Sequence, residues 1–269
     1  WFGDASGARN AEAVSLFVQS QDVFRKFSNI LVTQGSEAFA EAAARKRITS
    51  TSLPADAGRL VLEPLEALAL SGAVRGERGE DGRGAEIDIA GAAFAVLGAA
   101  TPATSLDAIR LSAEQLSALD AASILIGGTR TQNSDGTTSL NITADTILVD
   151  TRGSTLSAGE VLLAVDGDGS SLTIADGSII AAEGDVGNES TAAYVIDGSS
   201  DALTGAGAIV RVSTGPERLV ERRGLEAVAT APQLTIGSAQ LLGGPSGGSV
   251  LAASSGGFGL ASDTVLGRI

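Results

Sequence analysis

Along this chain, pairs of aliphatic residues separated by one polar residue return at intervals of roughly twenty residues, each return followed by glycine, aspartate, serine or asparagine. Ser139-Leu140-Asn141-Ile142-Thr143, Ser171-Leu172-Thr173-Ile174-Ala175 and Gln233-Leu234-Thr235-Ile236-Gly237 carry the pattern most clearly. A strand places both aliphatic side chains of such a triplet on one face, so each triplet is a strand with one buried side. Further strands are expected around Leu60-Val61-Leu62, Leu68-Ala69-Leu70, Ile87 and Ile89, Phe94 to Leu97, Ile124 and Ile126, Ile147 and Val149, Val161 to Val165, Ile179, Val195, Ile209 to Val212, Leu241, Val250, Leu260 and Val265. Short, regularly returning strands with glycine-rich corners predict an all-β chain, a stacked-strand solenoid with a few short helices or loops inserted. At a strand spacing of about 4.8 Å, about nine to twelve rungs would make a rod of about 45 to 55 Å.

Departures from this alternation mark the insertions. The alanine-rich run at 36–47, with Glu41 four residues before Arg45, reads equally as a helix or as a strand connector. Ser112-Ala113-Glu114-Gln115 has the form of a capping box and predicts a short helix over 113–119. Residues 76–82 are charged and glycine-rich, which predicts a solvated loop, and Pro102 predicts a turn. The pairs Asp135-Gly136, Asp166-Gly167, Asp176-Gly177 and Asp197-Gly198 suit hairpins, but their place inside the repeats favours corners between coils. Two regions result: 1–110, an irregular N-terminal part with long loops, and 111–269, regular coils. The last strand has no polar segment after it, so the coils are expected to continue beyond both ends of this piece.

Composition narrows the chemistry. The chain has 269 residues, 43% of them hydrophobic but only 3% aromatic, and 35 glycines, so its core consists of small and branched aliphatic side chains. Cysteine and histidine are both absent. That removes disulfides, thiolate metal sites, histidine bases and Ser-His-Asp systems, leaving carboxylate, lysine or arginine chemistry and oxygen-ligand calcium sites. With 32 acidic and 18 basic residues, the formal charge of −14 argues against nucleic acid as a partner. The chain opens on Trp1 and lacks methionine, which reads as an internal or processed piece with any export signal upstream. No apolar run reaches the ~20 residues of a membrane helix.

Three groups of residues are candidates for chemistry. Asp166-Gly167-Asp168-Gly169 has the oxygen density of a calcium loop, but lacks the distal glutamate and the glycine-rich nonapeptide, so a coil corner is the favoured reading of Asp166 and Asp168. Asp145, Asp150, Asp166, Asp176 and Asp185 would include the carboxylate pair of a polysaccharide lyase or hydrolase if stacking brought two of them to ~5 or ~6.5–9.5 Å. All five stand beside glycine or at strand ends, where aspartate has a structural role. Glu217, Arg218, Glu221, Arg222 and Arg223 form a charged patch, read as a protruding loop or short helix after Pro216 in preference to an anion site. Gly127-Gly128-Thr129-Arg130 lacks the lysine and glycine spacing of a phosphate loop. No catalytic, metal or cofactor assignment follows.

The run Leu111-Ser112-Ala113-Glu114-Gln115-Leu116-Ser117-Ala118-Leu119, followed by Ala122-Ser123-Ile124-Leu125-Ile126-Gly127-Gly128-Thr129-Arg130, resembles a recurrent segment of very large bacterial filamentous-haemagglutinin-like exoproteins. Its most specific part is 126–130. The likeness extends through Ile142 and Ile147, 156–164, the Asp176-Gly177-Ser178 turn and Gly207-Ala208-Ile209-Val210-Arg211-Val212-Ser213, covering residues 111–266 well and the earlier part loosely. The resemblance implies an internal segment of a two-partner secretion adhesin: secreted, displayed at the bacterial cell surface, exported through an outer-membrane partner transporter, and folded as a long right-handed parallel β-helix. The expected role is a structural shaft, without enzymatic activity, that presents loops or a distal domain to host-cell or glycan receptors. The alternatives are a polysaccharide lyase or hydrolase on the same scaffold, and a surface filament that assembles from copies of itself.

Overall fold

The computed structural model describes residues 35–47, 55–70, 74, 76–101, 106–187, 191–198, 204–245 and 248–268. Two compact units divide the chain, Trp1–Leu53 and Pro54–Ile269. In the first, the alanine-rich run is a helix, α1 (Gly35–Lys46), with Glu37 in its first turn and Arg45 and Lys46 in its last, each placed to complement the helix dipole. Glu41 and Arg45 pair at 3.3 Å on its exposed side. The sequence also has an amphipathic stretch at 11–18 and strand-like content at 27–32; these and the expected Pro102 turn lie outside the described residues.

Among the described residues the second unit is all-β apart from one short helix. In chain order it contains β1 (Arg59–Leu62), β2 (Glu86–Ile89), β3 (Ala93–Leu97), β4 (Ile109–Ser112), α2 (Ala113–Ser117), β5 (Ser123–Ile126), β6 (Gly128–Gln132), β7 (Thr138–Ile142), β8 (Thr146–Asp150), β9 (Leu156–Ala158) and β10 (Glu160–Asp166). There follow β11 (Ser171–Ile174), β12 (Ile179–Ala182), β13 (Tyr194–Asp197), β14 (Gly207–Ser213), β15 (Val220–Arg223), β16 (Gln233–Ile236), β17 (Gln240–Gly243), β18 (Ser249–Ser254), β19 (Gly257–Leu260) and β20 (Val265–Arg268).

These strands form four sheets. The first is ordered β1-β2-β5-β10-β14-β18, the second β19-β16-β11-β8-β3-β4, the third β20-β17-β12-β9, and the outer sheet β15-β13-β7-β6. Pairing is parallel throughout the second and third sheets. Two antiparallel features interrupt the rest: β14 runs against both β10 and β18, and β6 and β7 form a hairpin. From β10 to β12 the chain passes from the first sheet through the second to the third, and β18 to β20 repeat the passage.

Register explains why the alternation recurs. In the second sheet Ile109, Phe94, Ile147, Leu172, Leu234 and Phe258 lie in one row across the strands. In the first, Ile87, Ile124, Val161, Val212 and Val250 do the same, and in the third Leu156, Ile180, Leu241 and Leu266. Away from the last strands these residues meet in one apolar interior. Each Leu, Ile or Val so buried stabilises the fold by about 1.5–3 kcal/mol relative to exposure.

Several sequence expectations are corrected here. Ser171–Ile174 and Gln233–Ile236 pair residue for residue, but the third triplet is β7 in the outer sheet, and Thr146 to Val149 takes its expected place beside β11. Alternation requires one buried face and does not say which layer buries it. Asp135-Gly136 turns the β6–β7 hairpin, with the Thr137 amide donating to Asp135 Oδ1 at 2.9 Å, whereas Asp166-Gly167 and Asp176-Gly177 are corners between sheets. Residues 68–70 form no strand, although Leu68 and Leu70 lean on the core. The two largest sheets have six strands each among the described residues, fewer than the expected rungs, because the outer sheet and the loops take up chain. Helix α2 begins as predicted, Ser112 Oγ accepting from the Gln115 amide at 3.3 Å, and ends at Ser117.

Candidate functional site

The outer sheet covers the outward face of the first sheet, and the most unusual chemistry of the molecule lies between them. Because strand side chains alternate, the residues next to the inward row of Ile87, Ile124, Val161 and Val212 point outward: Asp88, Ser123, Glu160 and Arg211. All four are buried. Further along the same face Leu125, Leu162, Ala164 and Ile209 meet Leu140, Ile142, Tyr194 and Ile196 of the outer sheet, so one half of the interlayer is apolar and the other ionic.

Gly127 makes this layering possible. With φ near +108° it turns the chain out of β5 into β6, and a Cβ there would sit 2.0 Å from the Ala164 carbonyl oxygen. Three residues later Arg130 turns back into the interlayer. Its backbone N–H donates to Asp88 Oδ2 at 2.9 Å, its Nε to Asp88 Oδ1 at 2.7 Å and its Nη1 to Ser123 Oγ at 2.7 Å. Ser123 Oγ in turn donates to Glu160 Oε2 at 2.6 Å. Glu160 Oε1 accepts from Tyr194 Oη at 2.8 Å and from Arg211 Nε, while Arg211 Nη1 reaches the Pro216 carbonyl at 2.9 Å and Ser249 Oγ at 2.6 Å. At the rim Arg59 pairs with Glu86 at 2.8 Å and donates to the Arg130 carbonyl.

Burial alone would push the Glu160 carboxyl up. The charges of Arg211 and Arg130 and the hydrogen bonds from Ser123 and Arg211 outweigh it and bring the pKa down to about 2. For Arg130, burial lowers the pKa, but Asp88, Glu86 and Glu160 more than compensate, so it is raised. Arg130 Nη2 has no hydrogen-bond partner. A cavity of about 20 Å³ lies among Arg130, Gln132, Thr138, Glu160, Tyr194 and Arg218, the size of one water and far below that of an organic substrate. A carboxylate held ionised by two guanidiniums, a phenol and a hydroxyl fastens two layers together; it is not placed to exchange a proton with a bound molecule.

In the expected loop at 76–82, residues 77–81 are exposed as a solvated loop should be, but ion pairs of Arg78 and of the adjoining Arg83 tie the segment down beside this layer. Arg78 pairs with Asp185 at 2.5 Å, Arg83 binds Asp56 through Nε at 3.0 Å and Nη2 at 2.6 Å, and Arg83 forms an antiparallel bridge with Gly187. Gly82 and Gly84 are buried.

The sequence-predicted candidates are dispersed, and four of the five aspartates have side-chain partners. Asp150 pairs with Arg152 at 2.5 Å, Asp176 Oδ1 accepts the Ser238 amide at 2.8 Å, and Asp185 holds Arg78. Asp166 Oδ1 accepts from the Thr204 amide at 2.7 Å and its hydroxyl at 3.0 Å, and Asp168 accepts from the Thr230 amide. Asp145 immediately precedes β8, and its backbone pairs with Ala92 and Ser171. No group of three or more carboxylates is placed to hold a metal ion among the described residues.

The arginine patch is corrected. Arg218 is 4% exposed and lies over the Tyr194 ring at 3.8 Å, with Nε donating to the Ala192 carbonyl and Nη2 to Thr138 Oγ1, both at 2.8 Å. Residues 220–223 form the strand β15 rather than a helix, Arg222 binds the Gly205 and Gly207 carbonyls, and only Glu217, Glu221 and Arg223 are solvated. Asp88 was missed because it occupies the polar position of a regular alternation, Glu86 to Ile89, which a solvent-facing strand side fills equally well. Glu160 stands beside and Arg211 within near-continuous apolar runs, Val161 to Val165 and Ala208 to Val212, and the aliphatic residues at the outward positions Leu162, Ala164 and Ile209 are the signal of a strand covered on both faces.

Comparison with protein-family models, curated proteins and solved structures finds no match to this chain.

Proposed function

We propose that this chain is a structural shaft segment of a secreted, cell-surface bacterial adhesin or filament, a right-handed parallel β-helix of the filamentous-haemagglutinin-like kind, presenting loops or a distal domain for attachment. The observation that carries this reading is the row-by-row register of aliphatic residues across three sheets, repeated at each passage of the chain. Such an interior holds a rigid form through backbone ladders and side-chain stacking and needs no ligand to do so. The buried ion cluster supports the same role, because it adds a second, directional fastening to the side of the stack. In this reading an outer-membrane partner transporter exports the chain, and receptor contact belongs to loops or to a distal domain. Antibodies against residues 111–269 should label intact cells and the culture medium of the producing bacterium. A signal found only in the cytoplasm would sink the proposal.

One cleft gives the enzyme alternative its best footing. Arg78, Asp120, Glu183 and Asp185 line a space of about 210 Å³ beside the strapped loop, which brings together the kind of carboxylates that polysaccharide hydrolysis uses and one cationic residue. Asp185 is committed to Arg78, which leaves Asp120 and Glu183. Release of reducing ends or unsaturated sugars from a polysaccharide by the purified chain, lost in D120N/E183Q, would displace the scaffold reading.

A further inference from the structure

The ion cluster between the two layers is one hydrogen bond short. Arg130 is 4% exposed, and its Nε and Nη1 are spent on Asp88 and Ser123. Its Nη2 is withdrawn from solvent and finds no partner among the described residues. Buried donors of this kind are nearly always satisfied, because the lost hydration of the N–H must be replaced. Arg130 lines the cavity of about 20 Å³, and Glu86 and Glu160 of the first sheet line it too. Glu86 Oε2 takes Arg59 at 2.8 Å, while Glu86 Oε1 lies 4.0 Å from Arg130 Nη1, too far for a direct hydrogen bond and close enough for a small molecule to bridge.

The donors and acceptors around the cavity select its occupant. Ser123 and Tyr194 give their hydroxyl protons to Glu160, Thr138 gives its own to Gln132 Oε1, and the Gln132 amide donates to the Gly136 and Thr137 carbonyls. What is left on offer is an N–H from Arg130 and the lone pairs of carboxylates and hydroxyls. The occupant must therefore accept one hydrogen bond and donate others. A halide ion accepts but cannot donate, and would stand against Glu86 and Glu160; an ammonium ion donates but cannot accept. We propose that the cavity is a binding site for a single water molecule, which accepts from Arg130 Nη2 and donates to Glu86 Oε1. Its size suits one such molecule and nothing larger. The water ties β2 of the first sheet to β6 of the outer sheet, a link from Arg130 beside those to Asp88 and Ser123, and enclosure between the layers makes it slow to exchange.

A crystal structure of the whole 269-residue chain grown from sodium bromide, with data at the bromine absorption edge, tests this. A density peak is expected about 2.7–3.2 Å from both Arg130 Nη2 and Glu86 Oε1, without anomalous signal. Flat density, or an anomalous bromide peak in the cavity, would overturn the proposal. Glu86→Gln keeps an acceptor oxygen and should keep the peak, whereas Glu86→Met, of similar length at the rim, should lose it; a peak unchanged in Glu86→Met would also overturn it. In solution, oxygen-17 relaxation dispersion should count one fewer long-lived water in Glu86→Met than in wild type, and equal counts would count against the site. None of these outcomes touches the shaft reading, which rests on the interior rows.

Discussion

The first sheet buries both of its faces, and the two are built from different chemistry. Its inward side is aliphatic: Ile87, Ile124, Val161 and Val212 belong to one cluster of buried apolar residues. Its outward side, one residue out of phase, carries Asp88, Ser123, Glu160 and Arg211 beneath the outer sheet. The inward face gains from the loss of water regardless of partner and tolerates exchange of one aliphatic residue for another. The outward face gains only if every charge finds its counterpart, so removing one member should cost more than removing an aliphatic side chain of similar size.

The largest effect is expected from Glu160→Ala, which leaves Arg130, Arg211, Ser123 and the Tyr194 hydroxyl without their shared acceptor. A loss of about 3–5 kcal/mol in urea-unfolding stability is expected. A loss below about 1 kcal/mol would show that water replaces the carboxylate and that the cluster fastens nothing. On the other face of the same strand, Leu163→Ala should cost about 2–5 kcal/mol through transfer and cavity terms. Should it exceed Glu160→Ala, the ranking of the two faces would be reversed.

Acid sharpens the comparison. The folded pKa of Glu160 is near 2, below its ordinary 4.5, so its contribution is complete above about pH 4.5 and declines as pH falls toward about 2. The stability gap between wild type and Glu160→Gln should therefore narrow over that window, while the deficit of Leu163→Ala does not. A gap that stays constant between pH 5 and 2.5 would contradict the assignment. The smallest effect is expected on the outer surface of the outer sheet. Glu221 and Arg223 pair at 2.9 Å in solvent, and Glu221→Gln should leave the unfolding midpoint unchanged. A clear shift there would mean that charge at the surface contributes as charge in the interlayer does.

Particular residues show how far the chain could be read directly. The strands at 171–174 and 233–236 and the cap at Ser112 were legible because each depends on neighbours in sequence: side-chain period, a turn residue, a hydroxyl three positions before an amide. The strand at 139–142 was recognised but assigned to the wrong layer, since its alternation is the same in either. Arg218 was read as a solvated charge because nothing local announces the Tyr194 ring, 24 positions away, or the Thr138 hydroxyl, 80 away. Asp135-Gly136 was read as a corner because an aspartate-glycine pair suits a hairpin and a corner alike.

The sequence by itself determined that this chain is built of short strands, with aliphatic residues on at least one face, glycine-rich turns and no histidine or cysteine chemistry. Those features follow from period and composition, which are properties of neighbours. Only the tertiary structure decided that Gly127 would send the chain outward, that a second layer would bury Asp88, Glu160 and Arg211 together with Arg130, and that β4 and α2 would close one end of the aliphatic rows. Burial of a charge, and the cover of a row, depend on residues brought from far along the chain, and no local pattern encodes that distance.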